Sequence, residues 1–207
     1  MYQIPDFTLN QKTFTLTFEL ATADDLIDKE FIIKGGTGKM NQWLDQSCKL
    51  IYQKSNLKEN GLSLDDLQDL PFTTLQGISQ AILGSEEIDN IIIENQNNGF
   101  LNLFDISFYL TDGKQIEIVK ATKLSARKYK LYADKLSVIN ANTRLNEQKI
   151  KDYYSALSSI LKNETNLINN SDVSQKDIYD KTPILVLDKI CSNFIIQEDL
   201  NIEKKTE

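Results

Sequence analysis

The stretch Leu62–Leu83 (LSLDDLQDLPFTTLQGISQAIL) has a counterpart near the other end of the chain, Val173–Ile195 (VSQKDIYDKTPILVLDKICSNFI). In each stretch a serine and acidic residues precede a proline, and apolar residues follow the proline at four and seven positions. Ser63 with Asp66 forms a capping-box pattern, and proline suits a first helical turn. The first stretch therefore predicts a short helix, a bend at Pro71 and a second helix ending near Gly84.

Alternating apolar residues predict an antiparallel β-hairpin near the start of each half of the chain. The predicted strands and turns are Phe7–Leu9, the turn Asn10–Lys12 and Thr13–Leu20 in the first half, and Leu101–Leu110, the turn Thr111–Lys114 and Gln115–Lys120 in the second. Phe7, Leu9, Phe14 and Leu16 align with Phe108, Leu110, Ile116 and Ile118. This alignment is a second similarity between the two halves.

Apolar residues at helical spacing predict further helices. These are a helix from Thr22 to Gly35-Gly36, a helix over Met40–Tyr52, a helix capped by Ser125 and a helix over Thr143–Lys162. The run Ser85–Glu94 is ambiguous between helix and strand, and we predict a helix because Ser85 and two acids suit a helix start. The polar run Asn95–Gly99 predicts a loop between the halves.

These elements predict an α+β protein of two similar modules, each an N-terminal antiparallel β-hairpin followed by a small helical bundle. We place the first module at residues 1–97, the second at 98–198 and a polar C-terminal tail at 199–207. A repeat of about 100 residues implies two modules rather than a solenoid. Chance convergence of two hairpin-plus-helix patterns is the alternative to duplication.

Charge limits the classes of partner. The net charge is −7, and the first 100 residues carry 7 lysines against 15 acidic residues. Sequence-independent binding of nucleic acid needs a basic surface, so a protein partner is favoured. No apolar run approaches the roughly 20 residues that span a bilayer, and no leader is apparent, so we expect a cytoplasmic protein without a membrane partner. Cys48 and Cys191 are too few for a disulfide framework and are predicted to be buried thiols.

The residue types exclude several chemistries. The chain contains no histidine, which excludes histidine-dependent triads and histidine metal ligands. Acidic pairs at Asp24-Asp25, Asp65-Asp66 and Glu86-Glu87 lie at predicted helix starts, where carboxylates favour the helix dipole. We predict no catalytic residue, cofactor or metal. A basic cluster predicts a solvated helix face or a patch for an acidic partner: Lys120, Lys123, Arg127, Lys128, Lys130 and Lys135.

One glycine-rich segment requires separate treatment. Lys34, Gly35, Gly36, Thr37, Gly38 and Lys39 follow an apolar run and resemble the phosphate-binding loop of partition-type ATPases. In such loops a Ser or Thr after the last lysine holds Mg²⁺. Met40 occupies that position here, so the segment predicts a glycine turn, with nucleotide binding as the alternative.

The hairpin, the segment LATADDLID and the segment SLDDLQDLPFTTLQGISQAI together resemble the tail assembly chaperones of tailed bacteriophages. The resemblance covers about residues 7–83 and, more loosely, 104–195. It implies a non-enzymatic factor that binds a phage tail, tape-measure or baseplate hub protein, in the host cytoplasm and possibly in the virion. The doubled module leaves open whether the chain is a chaperone or a part of the tail or baseplate.

Grooves beside the Pro71 helix and its second-half counterpart are the predicted contact surface. The residues predicted to bind the partner are Trp43, Leu44, Phe72, Leu75, Ile184, Leu187 and Phe194. An acidic inhibitor that mimics DNA is a further alternative, because the first half is strongly acidic.

Overall fold

A computed structural model describes residues 1–25, 40–98, 101–137 and 147–195, and within these ranges the fold is α+β. Six α-helices accompany two small antiparallel sheets in the described ranges, so the predicted class is confirmed. The elements are β1 (Tyr2–Leu9), β2 (Lys12–Phe18), α1 (Met40–Lys54), α2 (Phe72–Ile82), β3 (Ile92–Asn98), β4 (Leu101–Tyr109), β5 (Gln115–Ala121), α3 (Ala126–Leu136), α4 (Glu147–Asn163), α5 (Gln175–Lys181) and α6 (Ile184–Ile195). We call β1 to α2 the first half and β3 to α6 the second half.

The first sheet is the predicted hairpin of β1 and β2. It begins at Tyr2, earlier than predicted, and β2 ends at Phe18 instead of Leu20. The two-residue turn has positive φ angles at both Asn10 (48°) and Gln11 (64°), which matches the twist of a hairpin. Side chains alternate between the core and solvent along the strands, as predicted, except at a register shift between Ile4 and Phe7 of β1.

The second sheet has the order β3-β4-β5, and it corrects two predictions. The predicted helix over Ser85–Glu94 is wrong, because only a 3₁₀ turn forms at Glu86–Ile88 before β3 begins. The predicted loop Asn95–Gly99 is also wrong for residues 95–98, because β3 extends to Asn98. Consecutive β-branched isoleucines favour a strand, and Ile93 pairs with Ile106 of β4.

Capping residues start the helical elements. Ser63 and Asp66 exchange the predicted hydrogen bonds, with Ser63 N donating to Asp66 Oδ2 (2.5 Å), but the element is a 3₁₀ turn over Asp65–Asp69. Ser174 caps α5 by the same reciprocal bonding, and Ser125 Oγ accepts from Lys128 N as predicted. At Ser125 and Ser174 a side chain therefore satisfies the first amides of the helix, whereas α2 starts after Pro71 without a side-chain cap.

Two predicted helices lie partly outside the described residues, and the predicted glycine turn lies wholly outside them. Thr22 N donates to Asp25 Oδ2 (2.9 Å), and a 3₁₀ turn forms over Ala23–Asp25. The remainder of that predicted helix and the glycine segment Lys34–Lys39 fall outside the description, as does the predicted start of α4 at Thr143.

The two halves share one continuous apolar core. The first two amides of α6 are satisfied by the first half: Ile184 N donates to Ala21 O (3.2 Å) and Leu185 N to Leu83 O (3.2 Å). Both cysteines are buried free thiols, as predicted. The halves are therefore joined by packing and backbone hydrogen bonds together.

Candidate functional site

A cleft of about 770 Å³ lies where the two halves meet. Its walls come from the ends of β1 and β2, the turn after Thr22, the β4–β5 turn and the end of α5. Side chains that line it include Tyr2, Glu19, Leu20, Asp24, Asp25, Lys54, Glu87, Tyr109, Asp112, Asp180, Lys181 and Pro183. Six carboxylates and two lysines are among these residues, so the cleft is acidic.

Much of this charge is held in specific pairs. Lys54 Nζ lies 2.9 Å from Asp25 Oδ1, and Lys181 Nζ lies 3.0 Å from Asp112 Oδ2. Tyr2 donates its hydroxyl to Glu87, and burial, together with this carboxylate, raises the pKa of Tyr2. The Lys181 ammonium and the Lys114 amide lower the pKa of Asp112, which keeps it ionised. These pairs join different elements and hold the walls of the cleft in place.

One contact across the cleft joins two carboxyl groups. The Asp24 carboxyl of the first half lies beside the Asp180 carboxyl at the end of α5. Burial raises the pKa of Asp24, and the adjacent Asp180 carboxyl raises it further, while Lys176 opposes the rise. Two adjacent carboxylates repel each other, so the ionised form of Asp24 is disfavoured at this contact between the halves.

A second buried carboxyl lies in α6. Tyr154 is fully buried and donates its hydroxyl to Asp188 Oδ2 (3.0 Å). Burial raises the pKa of Asp188 to about 6, and the hydrogen bonds from Tyr154 and Tyr153 reduce the rise. Burial also raises the pKa of the neighbouring Cys191 thiol, which makes it a poor nucleophile. The cluster is part of the core and has a structural role.

The structure separates the residues that were predicted to bind a partner. Leu75, Ile184, Leu187 and Phe194 are all buried in the core. The predicted groove beside the Pro71 helix is closed, because α1 and α2 pack together and Ser79 Oγ donates to Ser47 Oγ (3.4 Å). These four side chains contribute to stability and are covered in the folded protein.

Two predicted partner-binding residues retain some accessible surface. Leu44 is partly buried, and Phe72 is 43% exposed at the start of α2. The side chain of Trp43 is outside the described part of the structure. Phe72 is therefore the predicted residue best placed to contact a partner.

The remaining motifs have local structural roles. Asp25 and Asp66 are capping residues, and Lys128 of the basic cluster forms an ion pair with Glu164 (2.6 Å). Among the described residues, no group of three or more Cys, Asp or Glu is arranged to hold a metal ion. Within the same ranges, no helix combines the length and apolar character needed to cross a membrane.

The cleft residues were not identified from the sequence. The alignment of the two stretches singles out Asp180, which matches Asp69. It does not reveal that Asp180 lies beside Asp24 of the other half. A comparison of the chain with family models, curated proteins and solved structures found no match.

Proposed function

We propose that the chain consists of two similar modules and acts, without catalysis, by binding another protein during assembly of a bacteriophage tail or baseplate. The observation that best supports the two-module part is a set of hydrogen bonds and ion pairs that recurs at aligned positions in the two halves. A low-identity alignment alone permits chance convergence. Most of the recurring contacts join residues distant in sequence, and their recurrence is much harder to reach by chance.

An asparagine side chain covers the outer edge of the second hairpin strand in each half. Asn56 accepts from Thr17 N (3.0 Å) and donates to Thr15 O (3.1 Å). In the second half Asn166 makes the same two bonds to β5. It accepts from Val119 N (3.0 Å) and donates to Glu117 O (3.2 Å). An amide that satisfies both backbone groups of an edge strand also prevents another strand from pairing there.

Three further contacts recur. A lysine at or just before the start of the second hairpin strand donates to a backbone carbonyl two residues before the capping serine, Lys12 to Gly61 O (3.1 Å) and Lys114 to Asp172 O (2.7 Å). A hydroxyl after the central helix donates to the carbonyl four residues earlier, Ser55 to Ile51 O and Thr165 to Leu161 O, both at 2.6 Å. The segment after the hairpin donates to the end of the last helix, Ala21 N to Ile82 O (2.7 Å) and Leu124 N to Phe194 O (3.0 Å).

An ion pair recurs with its charges exchanged. In the first half Asp25 after the hairpin pairs with Lys54 at the end of α1. In the second half Lys128 occupies the position of Asp25 and Glu164 that of Lys54. The position of the pair is retained while both signs are reversed, which is the expected result of divergence from a common module.

The functional part of the proposal rests on the resemblance to tail assembly chaperones, a class of binding proteins. The cleft between the halves supplies a concave surface that a single module lacks. Its carboxylates, beside the rings of Tyr2 and Tyr109, suit a partner segment that carries lysine or arginine next to apolar residues. We propose a tape-measure or baseplate hub protein as the source of that segment.

Co-expression with a tape-measure or hub protein of the source phage tests this function. We expect the two proteins to copurify and Glu19→Lys to weaken the complex, because the Glu19 side chain is 70% exposed at the cleft wall. Glu59→Lys is the matched control, since Glu59 is exposed and is not among the residues that line the cleft. A chain that binds neither protein, or equal weakening by both variants, would overturn the proposal.

The acidic cleft also favours a second candidate, an acidic inhibitor that competes with DNA for a basic host protein. This function predicts binding that falls steeply with salt and that DNA competes away. A complex with a tail protein that survives moderate salt would exclude it.

A further inference from the structure

The outer face of α3 is basic and exposed. The helix packs on α4 through its other side, where Leu136 is buried and the Tyr132 hydroxyl donates to Glu164 Oε1 (3.0 Å). Lys128 pairs with the same glutamate. At 3.6 residues per turn, the positions opposite Leu136 lie together on the side that faces solvent, and all of them are exposed. We call them the α3 face, and they are Arg127, Lys130, Leu131, Asp134 and Lys135.

The α3 face surrounds one apolar side chain with positive charge. Leu131 is 73% exposed, and Arg127 and Lys135 lie one helical turn before it and one turn after it. Lys130 adds a third cation, whereas Asp134 is the single acid of the face. The α3 face therefore suits a partner surface that carries carboxylates beside an apolar or aromatic group.

The cleft between the halves offers a surface of that kind. Six carboxylates line it against two lysines. The Glu19 side chain is 70% exposed at the cleft wall, and its nearest cation, Lys54, lies 4.0 Å away and is held more closely by Asp25 at 2.9 Å. The side chain of Tyr109, which also lines the cleft, is 45% exposed, and a tyrosine ring attracts the cation of an arginine or lysine. The cleft therefore matches the α3 face in charge and supplies a ring against which Leu131 can pack.

The charge of the chain favours a second copy as the partner of the α3 face. The net charge is −7, so most of the chain repels a long polyanion such as DNA. A protein whose carboxylates are concentrated in one concave place can approach α3 with that place first, and every copy of this chain has such a place in its cleft. Leu131 is exposed, so the α3 face does not occupy the cleft of its own chain.

We infer that the chain associates with itself, with the α3 face of one copy docked in the cleft of another. Because the two surfaces are unlike, the contact either closes a dimer in which each copy supplies both surfaces, or continues into a ring or an open chain. The association rests on the proposed function in one respect, the role of the cleft as a binding surface. A docked copy therefore competes with a tail protein for the cleft and keeps the cleft covered until that protein is present.

Sedimentation velocity at up to about 1 mM protein tests this association. We expect the average mass of the wild-type protein to rise above that of the monomer and to fall back between about 0.1 M and about 1 M salt, because salt screens the charges. Arg127→Glu/Leu131→Glu should remain monomeric. The matched control, Lys58→Glu/Ile168→Glu, changes the charge equally at exposed residues outside both surfaces and should associate like the wild-type protein. Far-UV circular dichroism and thermal melting establish that the variants are folded.

A mixing experiment tests which surfaces meet. Glu19→Lys reverses a charge of the cleft and should also lose the association when it is studied alone. This variant keeps its α3 face, and Arg127→Glu/Leu131→Glu keeps its cleft, so a mixture of the two should form a dimer with one copy of each. Variants that stay apart in the mixture, or a wild-type protein that is monomeric at about 1 mM, would overturn the inference. A mass that does not respond to salt would also overturn it.

Rival occupants of the α3 face are tested with the same variants. Vesicles of phosphatidylserine and phosphatidylcholine, and separately a DNA duplex, are titrated into the wild-type protein and into Arg127→Glu/Leu131→Glu. If the wild-type protein stays monomeric and binds either probe through the α3 face, the inference is wrong. A monomer that still copurifies with a tail protein would overturn the self-association and leave the proposed function standing. Self-association without any binding to a tail protein would have the opposite meaning.

Discussion

Gly84 provides the most direct test of how the halves are joined. It follows the end of α2 with a φ of +92°, and a Cβ atom added there would lie 2.7 Å from Cβ of Pro183 in the other half. An alanine at positive φ costs about 1–2 kcal/mol, and overpacking against a neighbour that cannot retreat costs about 1–3 kcal/mol more. Gly84→Ala should therefore lower the free energy of unfolding by about 2–5 kcal/mol.

Gly113→Ala is the matched control for the Gly84 substitution. Gly113 has a similar φ of +83°, but nothing lies within 4 Å of the added Cβ. This variant should therefore show only the backbone cost, about 1–2 kcal/mol. Chemical denaturation of both variants and the wild-type protein measures the difference. Equal losses for the two glycines would refute the view that the Pro183 contact is tight and rigid.

Other predictions concern single side chains. Because the pKa of Asp188 is raised to about 6, the native state holds its proton more strongly than the unfolded chain, and this stabilisation is lost as the pH rises from about 4 to about 6. The free energy of unfolding of Asp188→Asn, relative to that of the wild-type protein, should therefore rise by up to about 3 kcal/mol between pH 4 and pH 8 in denaturant titrations. A difference that does not change with pH would contradict the assignment. Asn56→Ala and Asn166→Ala should each cost about 1–3 kcal/mol, since each removes two hydrogen bonds, and a pair of unequal losses measured by thermal melting would argue against equivalent roles. Leu187→Ala, at a fully buried site, should cost about 2–5 kcal/mol in the same assay, and a loss below about 1 kcal/mol would show that the site is not part of the core.

The sequence predicted the elements whose signals are local. The hairpins follow from alternation, and the start of α3 follows from the serine at Ser125. The strand β3 was missed because its residues after Glu94 are polar and loop-like, and only pairing with β4 makes them extended. A propensity that favours a loop was overridden by contacts to a distant strand.

The candidate site was harder to predict because it depends on how the halves meet. Phe72 and Ile184 occupy aligned positions and have similar apolar side chains, yet one is exposed and the other is buried. Ile184 is covered where the start of α6 contacts Ala21 and Leu83 of the first half. No local pattern at the start of a helix reveals such a contact.

The exchanged ion pair has a consequence for folding if the proposed two-module organisation is correct. Two similar modules in one polypeptide can misassemble when the helices of one pack on the hairpin of the other. That arrangement would bring Asp25 beside Glu164 and Lys54 beside Lys128, so both wrong pairings would place like charges together. On that organisation, we expect the reversed signs to disfavour the wrong pairing while the chain is folding as well as in the finished protein.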